Sequence, residues 1–231
     1  MVAHEPNDIF QFSTYSALRA GFTRGKPQVS NLLSYGTDGV GALEDGRLLT
    51  LSDCEAYSVD DRGNVSPADK DARLAFVMVT IFRPLRAVRL AIPSKSYLDD
   101  LLSNKIMDSL ELGGANSLLP LHIQGKFKSM KVARRYVIRR EEDEFELKDV
   151  EGMVFGFMVP PWMEGICGPR IHFHLLGTGP AGEEGGPRIG GKVLEFETDG
   201  AAVISLAECE RFHLGFPQGK DWEELDLVGS S

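Results

Sequence analysis

The chain has 231 residues, of which 42% are hydrophobic and 26% charged, and its formal net charge is −9. This composition is typical of a globular protein with a sizeable core. The negative charge excludes nucleic acid and anionic membrane surfaces as main partners, because both require a basic face. No apolar run approaches the ~20 residues that span a bilayer, and the N-terminus lacks the regions of a signal peptide.

The three cysteines are Cys54, Cys167 and Cys209. They are odd in number and lack the spacing of a disulfide framework. We therefore expect free thiols and a cytoplasmic protein.

The N-terminal half mixes short helices with strands. A helix is predicted over 13–21, with Ser13 as its cap and Gly21 at its end, followed by a helical turn over 29–33. The apolar run 75–82 predicts a strand buried on both faces. Ser94 is placed to cap the clearest amphipathic helix. Further strands are predicted at 47–51 and 86–92.

The C-terminal half is almost entirely β. Strands are predicted at 119–132, 150–159, 171–176, 192–198 and 202–214, with a solvated charged loop at 139–144. Few helices accompany these many strands, so the predicted fold class is α+β, predominantly β.

Two histidines mark the most informative segment. His172 and His174 lie two residues apart on a predicted strand, so both imidazoles leave the same face. Such a pair often supplies two metal ligands, and the next strand usually supplies a third. On that strand the natural position holds Lys192, a cation at neutral pH. The pattern indicates a metal centre in which one ligand has been replaced.

Six segments in the right order resemble the α-acetolactate decarboxylase family, whose members convert 2-acetolactate to acetoin and carbon dioxide. The segments are 9–18 (IFQFSTYSAL), 32–41 (LLSYGTDGVG), 123–132 (IQGKFKSMKV), 151–157 (EGMVFGF), 165–175 (GICGPRIHFHL) and 213–217 (HLGFP). The sequences of these segments resemble fungal members of the family more than bacterial ones.

The resemblance implies two β-rich lobes with the active site between them. We expect a single domain over 1–231, with an N-terminal lobe of about 1–118 and a C-terminal lobe of about 119–231. It also favours a homodimer.

The same resemblance implies a divergent site. The family holds a divalent metal, usually zinc, with three histidines; two positions match His172 and His174, and the third matches Lys192. Arg47 stands at the position of a family glutamate, and Ala133 at that of a family arginine. Lys192 and Arg47 would keep the attraction for an anion while Lewis acidity is lost.

We therefore expect a metal-independent enzyme that needs no cofactor and acts on a small oxygenated, anionic substrate. Lys192, Arg47, His172 and His174 are the candidate catalytic residues. Lys192 and Arg47 would also bind substrate and stabilise a developing enolate, or Lys192 could form a Schiff base if burial lowers its pKa. Cys167 is a candidate substrate-binding residue or nucleophile, with a packed side chain as the alternative.

Decarboxylation, isomerisation and cyclisation all suit such a site, with specialised-metabolite biosynthesis as a natural setting. Two alternatives remain open. One is a zinc-dependent acetolactate decarboxylase that uses His172 and His174 as ligands, and the other is a non-catalytic binding protein on the same fold.

Overall fold

A computed structural model describes residues 7–104, 116–137, 143–178 and 188–227. Its thirteen described strands form two sheets. The first sheet has the strand order β13-β1-β6-β2-β3-β4-β5. These strands are β1 (Asn7–Phe12), β2 (Asp38–Leu43), β3 (Leu48–Ser52), β4 (Glu55–Val59), β5 (Val65–Pro67), β6 (Leu74–Thr80) and β13 (Cys209–Gly215).

The second sheet has the order β11-β10-β9-β8-β12-β7, and β11 also pairs with β8. Its strands are β7 (Arg86–Ala91), β8 (Leu119–Ala133), β9 (Glu144–Met158), β10 (Ile171–Thr178), β11 (Arg188–Thr198) and β12 (Ala201–Leu206). The extra β11–β8 pairing closes four of these strands into a small barrel.

The described helices are short. They are α1 (Tyr15–Arg19), α2 (Lys95–Asn104), α3 (Glu164–Cys167) and α4 (Lys220–Glu223), with 3₁₀ turns at Val29–Ser34 and Pro161–Met163. The predominance of strands confirms the predicted α+β class. Within the described ranges, no helix is long and apolar enough to span a bilayer.

The two sheets exchange strands across the middle of the chain. β7, from the N-terminal half, is an edge strand of the second sheet, and β13, from the C-terminal end, is an edge strand of the first. The predicted strand at 202–214 is therefore two strands, β12 and β13, in different sheets. The lobe boundary near 118 stays a prediction, since neither sheet comes from one half of the chain alone.

Of the two predicted N-terminal helix caps, the one on α2 is confirmed and the one on α1 is wrong by one residue. Thr14, rather than Ser13, caps α1, because its hydroxyl accepts a hydrogen bond from the Ala17 amide at 3.2 Å. Ser94 caps α2 as predicted, accepting from the Tyr97 amide at 3.0 Å.

The predicted charged loop at 139–144 lies largely outside the described residues. Glu144 already belongs to β9, which begins six residues before the strand predicted at 150–159.

The inner faces of the two sheets pack against each other. This buried layer includes Phe76 from the first sheet, Phe155 and Phe157 from the second, and Tyr136 and Cys167 from the connections. A separate cluster fills the second sheet's own interior. The even-numbered residues of β10 face the first sheet, whereas Phe173 and Leu175 face the interior of the second. The strand periodicity thus points His172 and His174 into the layer between the sheets.

Candidate active site

The sheet register brings His172, His174 and Lys192 to one face. His174 on β10 lies directly opposite Lys192 on the antiparallel strand β11. Directly opposed residues share a sheet face, as do residues two apart on one strand. Their exposed fractions are 0%, 1% and 6%, respectively. The three side chains thus form a buried polar group, called here the His–Lys cluster.

Hydrogen bonds hold both imidazoles through Nδ1. His174 Nδ1 lies 3.0 Å from the Thr50 hydroxyl on the first sheet, and His172 Nδ1 lies 3.2 Å from the Pro169 carbonyl. A carbonyl oxygen can only accept, so His172 Nδ1 carries the proton and its Nε2 presents a lone pair. Neither Nε2 atom has a hydrogen-bond partner in the described parts of the chain.

Both imidazoles are neutral at physiological pH. Burial lowers the pKa of His172 to about 3. The hydrogen bond to Pro169 raises this pKa and the Lys192 charge lowers it, and both effects are smaller than that of burial. Burial lowers the pKa of His174 to about 3 as well, reinforced by Lys192. These side chains therefore offer lone pairs rather than positive charge.

Lys192 is a buried amine that lies between a backbone carbonyl and two aromatic rings. Its Nζ donates a hydrogen bond to the Tyr136 carbonyl at 2.8 Å and lies 4.8 Å from the Tyr136 ring centroid and 5.8 Å from that of Tyr15. Burial, with a smaller contribution from the Lys95 charge, lowers its pKa from 10.5 to about 8. A measurable fraction of the amine is therefore unprotonated near neutral pH.

Tyr136 completes the cluster and was not predicted. It follows β8, is 1% exposed, and packs its ring on His174 at 5.6 Å and on Tyr15 at 6.2 Å. Its hydroxyl has no hydrogen-bond partner within the described residues. The sequence signal was its position three residues after Ala133, but strand alternation alone cannot place a residue beyond the end of a strand.

Arg47 lies outside the cluster. Its guanidinium pairs with Asp45 at 2.7 Å, with 38% of its side chain exposed. The Arg47 amide also donates to the Asp45 carboxylate, so a local Asp–Gly–Arg turn holds this cation. Among the described residues, the Arg47 side chain has no recorded contact with the His–Lys cluster. Its role in substrate binding therefore stays a prediction.

The position that the sequence resemblance matches to the family arginine is inside the site but uncharged. Ala133 on β8 lies directly opposite Lys192 and is fully buried. The neighbouring Arg134 turns away, and its guanidinium lies 4.6 Å from the Phe145 ring centroid. The predicted change of charge at Ala133 therefore falls directly beside Lys192.

Cys167 occupies the buried layer between the sheets. Its exposed fraction is 0%, and burial, together with a smaller effect of Cys209, raises its pKa to about 12. The side chain is a thiol rather than a thiolate at neutral pH, which makes it a weak nucleophile. Its packing supports the alternative of a small core residue.

The cluster does not fit the three-histidine metal site that the resemblance implies. The two Nε2 atoms suit metal ligands, because each ring is oriented through Nδ1. The third position is an ammonium group that repels a cation and must lose a proton before it can bind one. Among the described residues, no group of three His, Cys, Asp or Glu side chains is arranged to hold a metal ion.

A family model and individual known proteins identify the same family. The family model described as alpha-acetolactate decarboxylase matches residues 9–229. A protein of that name from Raoultella terrigena is 26% identical over 239 residues, covering 97% of this chain and 86% of the relative. Another from Brevibacillus brevis is 24% identical, covering 96% of this chain and 77% of the relative.

Solved structures share the fold. Alpha-acetolactate decarboxylase from Bacillus subtilis strain 168 superposes with a TM-score of 0.80 at 21% identity, covering 96% of this chain and 94% of that one. A Staphylococcus aureus protein of unknown function, described as similar to alpha-acetolactate decarboxylase, also reaches 0.80 at 22% identity, covering 97% of both chains.

Proposed function

Because the chain belongs to the α-acetolactate decarboxylase family, we propose that it is a lyase that decarboxylates a small 3-oxo acid without a metal, using Lys192 as an amine catalyst. The observation that carries the proposal is the buried Lys192 amine, directly opposite His174 on the inner face of the second sheet. This position corresponds to the third metal-ligand position that the sequence resemblance implies.

An amine can replace a metal in this chemistry because both withdraw electrons from a ketone. The Lys192 Nζ would add to the 3-oxo carbon and expel the oxygen as water, which leaves a positively charged iminium group. The C–C bond to the carboxylate then breaks, its electron pair moves into the iminium, and carbon dioxide leaves. Protonation of the resulting enamine and hydrolysis release the ketone product and restore Lys192.

The burial of the cluster away from water favours loss of carbon dioxide. Before that step the site holds an iminium cation and a carboxylate anion, and afterwards both products are neutral. Charges are costly in a buried site and weakly solvated there, so a step that removes both is accelerated. The neutral imidazoles of His172 and His174 add no charge that would anchor the carboxylate.

Exposure and charge both bear on how a small substrate reaches the amine. Lys192 retains 6% exposure, and the neighbouring Tyr15 is only half-buried. The positive charge on Lys192 attracts a carboxylate, although the protein as a whole carries a net charge of −9. Acetolactate, a 2-hydroxy-3-oxo acid, is the first member of the substrate class to test.

Reductive trapping tests the proposal. Protein treated with a chelator and then incubated with acetolactate and cyanoborohydride should gain a stable adduct on the peptide containing Lys192. The adduct mass should lack the carboxyl group if carbon dioxide is lost from the imine. Lys192→Gln should form no adduct.

Lys95→Gln provides the matched control, because Lys95 is another lysine whose pKa is lowered by burial but whose Nζ donates to the Val193 carbonyl instead. This variant should still form the adduct on Lys192, more slowly only to the extent that loss of the Lys95 charge raises the pKa of Lys192. Absence of an adduct, together with acetoin formation only after zinc is added, would overturn the proposal in favour of a zinc-dependent decarboxylase. Absence of both would favour a non-catalytic binding protein.

A further inference from the structure

Tyr136 combines a backbone contact with a side-chain hydroxyl that has no partner among the described residues. Its carbonyl accepts the hydrogen bond from Lys192 Nζ, whereas its hydroxyl is buried without a partner among the described residues. A buried hydroxyl that lacks a hydrogen bond is unfavourable. A bound substrate oxygen would supply the missing acceptor.

Two neighbouring groups already take part in hydrogen bonds. His172 donates its N–H to the Pro169 carbonyl and presents only a lone pair at Nε2. The Thr50 hydroxyl is engaged by His174. Burial, with smaller effects of Tyr15 and Cys167, raises the pKa of Tyr136 well above 10, so its hydroxyl keeps the proton at physiological pH.

We infer that Tyr136 is a catalytic residue whose hydroxyl donates a hydrogen bond to the substrate oxygen that is expelled when Lys192 forms the imine. This inference rests on the proposed amine chemistry. In that step the C=O bond breaks and a C=N bond forms. The oxygen leaves as water with the two protons that the Lys192 ammonium loses, and Tyr136 ends the step with its own proton.

The geometry gives Tyr136 two separate effects. The carbonyl positions the amine, and this contact is independent of the side chain. The ring packs against His174 and against Phe76, whose centroid lies 5.2 Å away, which fixes the ring plane. A fixed donor in a water-poor site stabilises a developing charge without reorganisation. Tyr136→Phe should therefore remove the donor while preserving both the backbone contact and the packing.

Single-turnover trapping with acetolactate and cyanoborohydride tests this role. Tyr136→Phe should slow adduct formation on Lys192 by about 100-fold, since removing one donor of this kind costs 10²–10³ in rate. The midpoint of thermal unfolding should stay the same or rise, because the lost hydroxyl has no partner in the folded protein among the described residues. A purely structural role would leave the trapping rate unchanged.

Tyr15→Phe is the control, because its ring also lies near Lys192 Nζ but is only half-buried. It should slow trapping less than Tyr136→Phe does. Adduct formation at the wild-type rate in Tyr136→Phe would overturn this role while leaving the amine chemistry intact. A wild-type protein that forms no adduct would overturn both.

Discussion

Replacing Lys192 with methionine should stabilise the folded protein. Methionine has a similar length and no charge, so it can fill the space beside His174 without an ammonium group. The proposed decarboxylation should be lost at the same time. Stability and activity would thus change in opposite directions at one position.

The size of the effect follows from the burial of the amine. Lowering the pKa of Lys192 from 10.5 to about 8 corresponds to roughly 3 kcal/mol of unfavourable free energy for the charged form. Removing its hydrogen bond leaves the Tyr136 carbonyl without this donor, at a cost of about 1–2 kcal/mol. We expect a net gain of about 1–2 kcal/mol in the free energy of unfolding at pH 7.

The pH dependence identifies the cause. The folded-state pKa is depressed, so the penalty is complete below about pH 8 and fades as the pH rises towards 10.5. The advantage of Lys192→Met over the wild type should therefore shrink between pH 7 and pH 10. Urea unfolding of both proteins at the two pH values measures this difference.

Lys126→Met is the matched control, because Lys126 lies on β8 with 55% of its side chain exposed, 3.6 Å from Glu151. It should show no comparable gain at pH 7. The reasoning would be refuted if Lys192→Met were less stable than the wild type at pH 7. An advantage of the same size at pH 7 and pH 10 would also refute it.

Four further outcomes are expected. Thr50→Val removes the hydroxyl that holds His174 Nδ1 and should lower the free energy of unfolding by about 1–3 kcal/mol; an unchanged urea midpoint would contradict this. In the native protein, Ellman's reagent should label the exposed Cys54 before the buried Cys167, and rapid labelling of both thiols would argue against the packing described. Lys192→His should bind about one zinc per chain by elemental analysis, whereas a variant with no more zinc than the wild type would challenge the alignment. Under the proposed chemistry, turnover should rise with pH and level off above about pH 8 as the amine loses its proton, and a flat profile would exclude that step.

The sequence predicted the centre of the site because strand geometry is simple. Alternation placed His172 and His174 on one face, and the β10–β11 register places Lys192 directly opposite His174. Burial could not be predicted in the same way, since it depends on the first sheet covering this face. The lowered pKa of Lys192 is a consequence of that covering.

The parts that were difficult to predict depend on turns, connections and long-range strand pairing. Arg47 was expected to bind substrate together with Lys192, and this stays a prediction; the local turn that pairs its guanidinium with Asp45 could not be read from the family alignment. Tyr136 lies after β8 in a connection whose path no periodic pattern fixes. The division of 202–214 into two strands was missed because both halves are β, and only long-range pairing assigns them to different sheets.

The exchange of edge strands has a consequence for how the chain folds. β1 pairs in parallel with β13, so Phe10 lies beside His213, although almost the whole chain separates them. Closing so long a loop costs entropy before any contact repays it, which slows folding. A fragment ending near residue 118 would lack the β13 edge of the first sheet, and the remainder would lack the β7 edge of the second. We therefore expect one cooperative unfolding transition. The Lys192 amine should become buried only after β7 and β13 have joined their sheets.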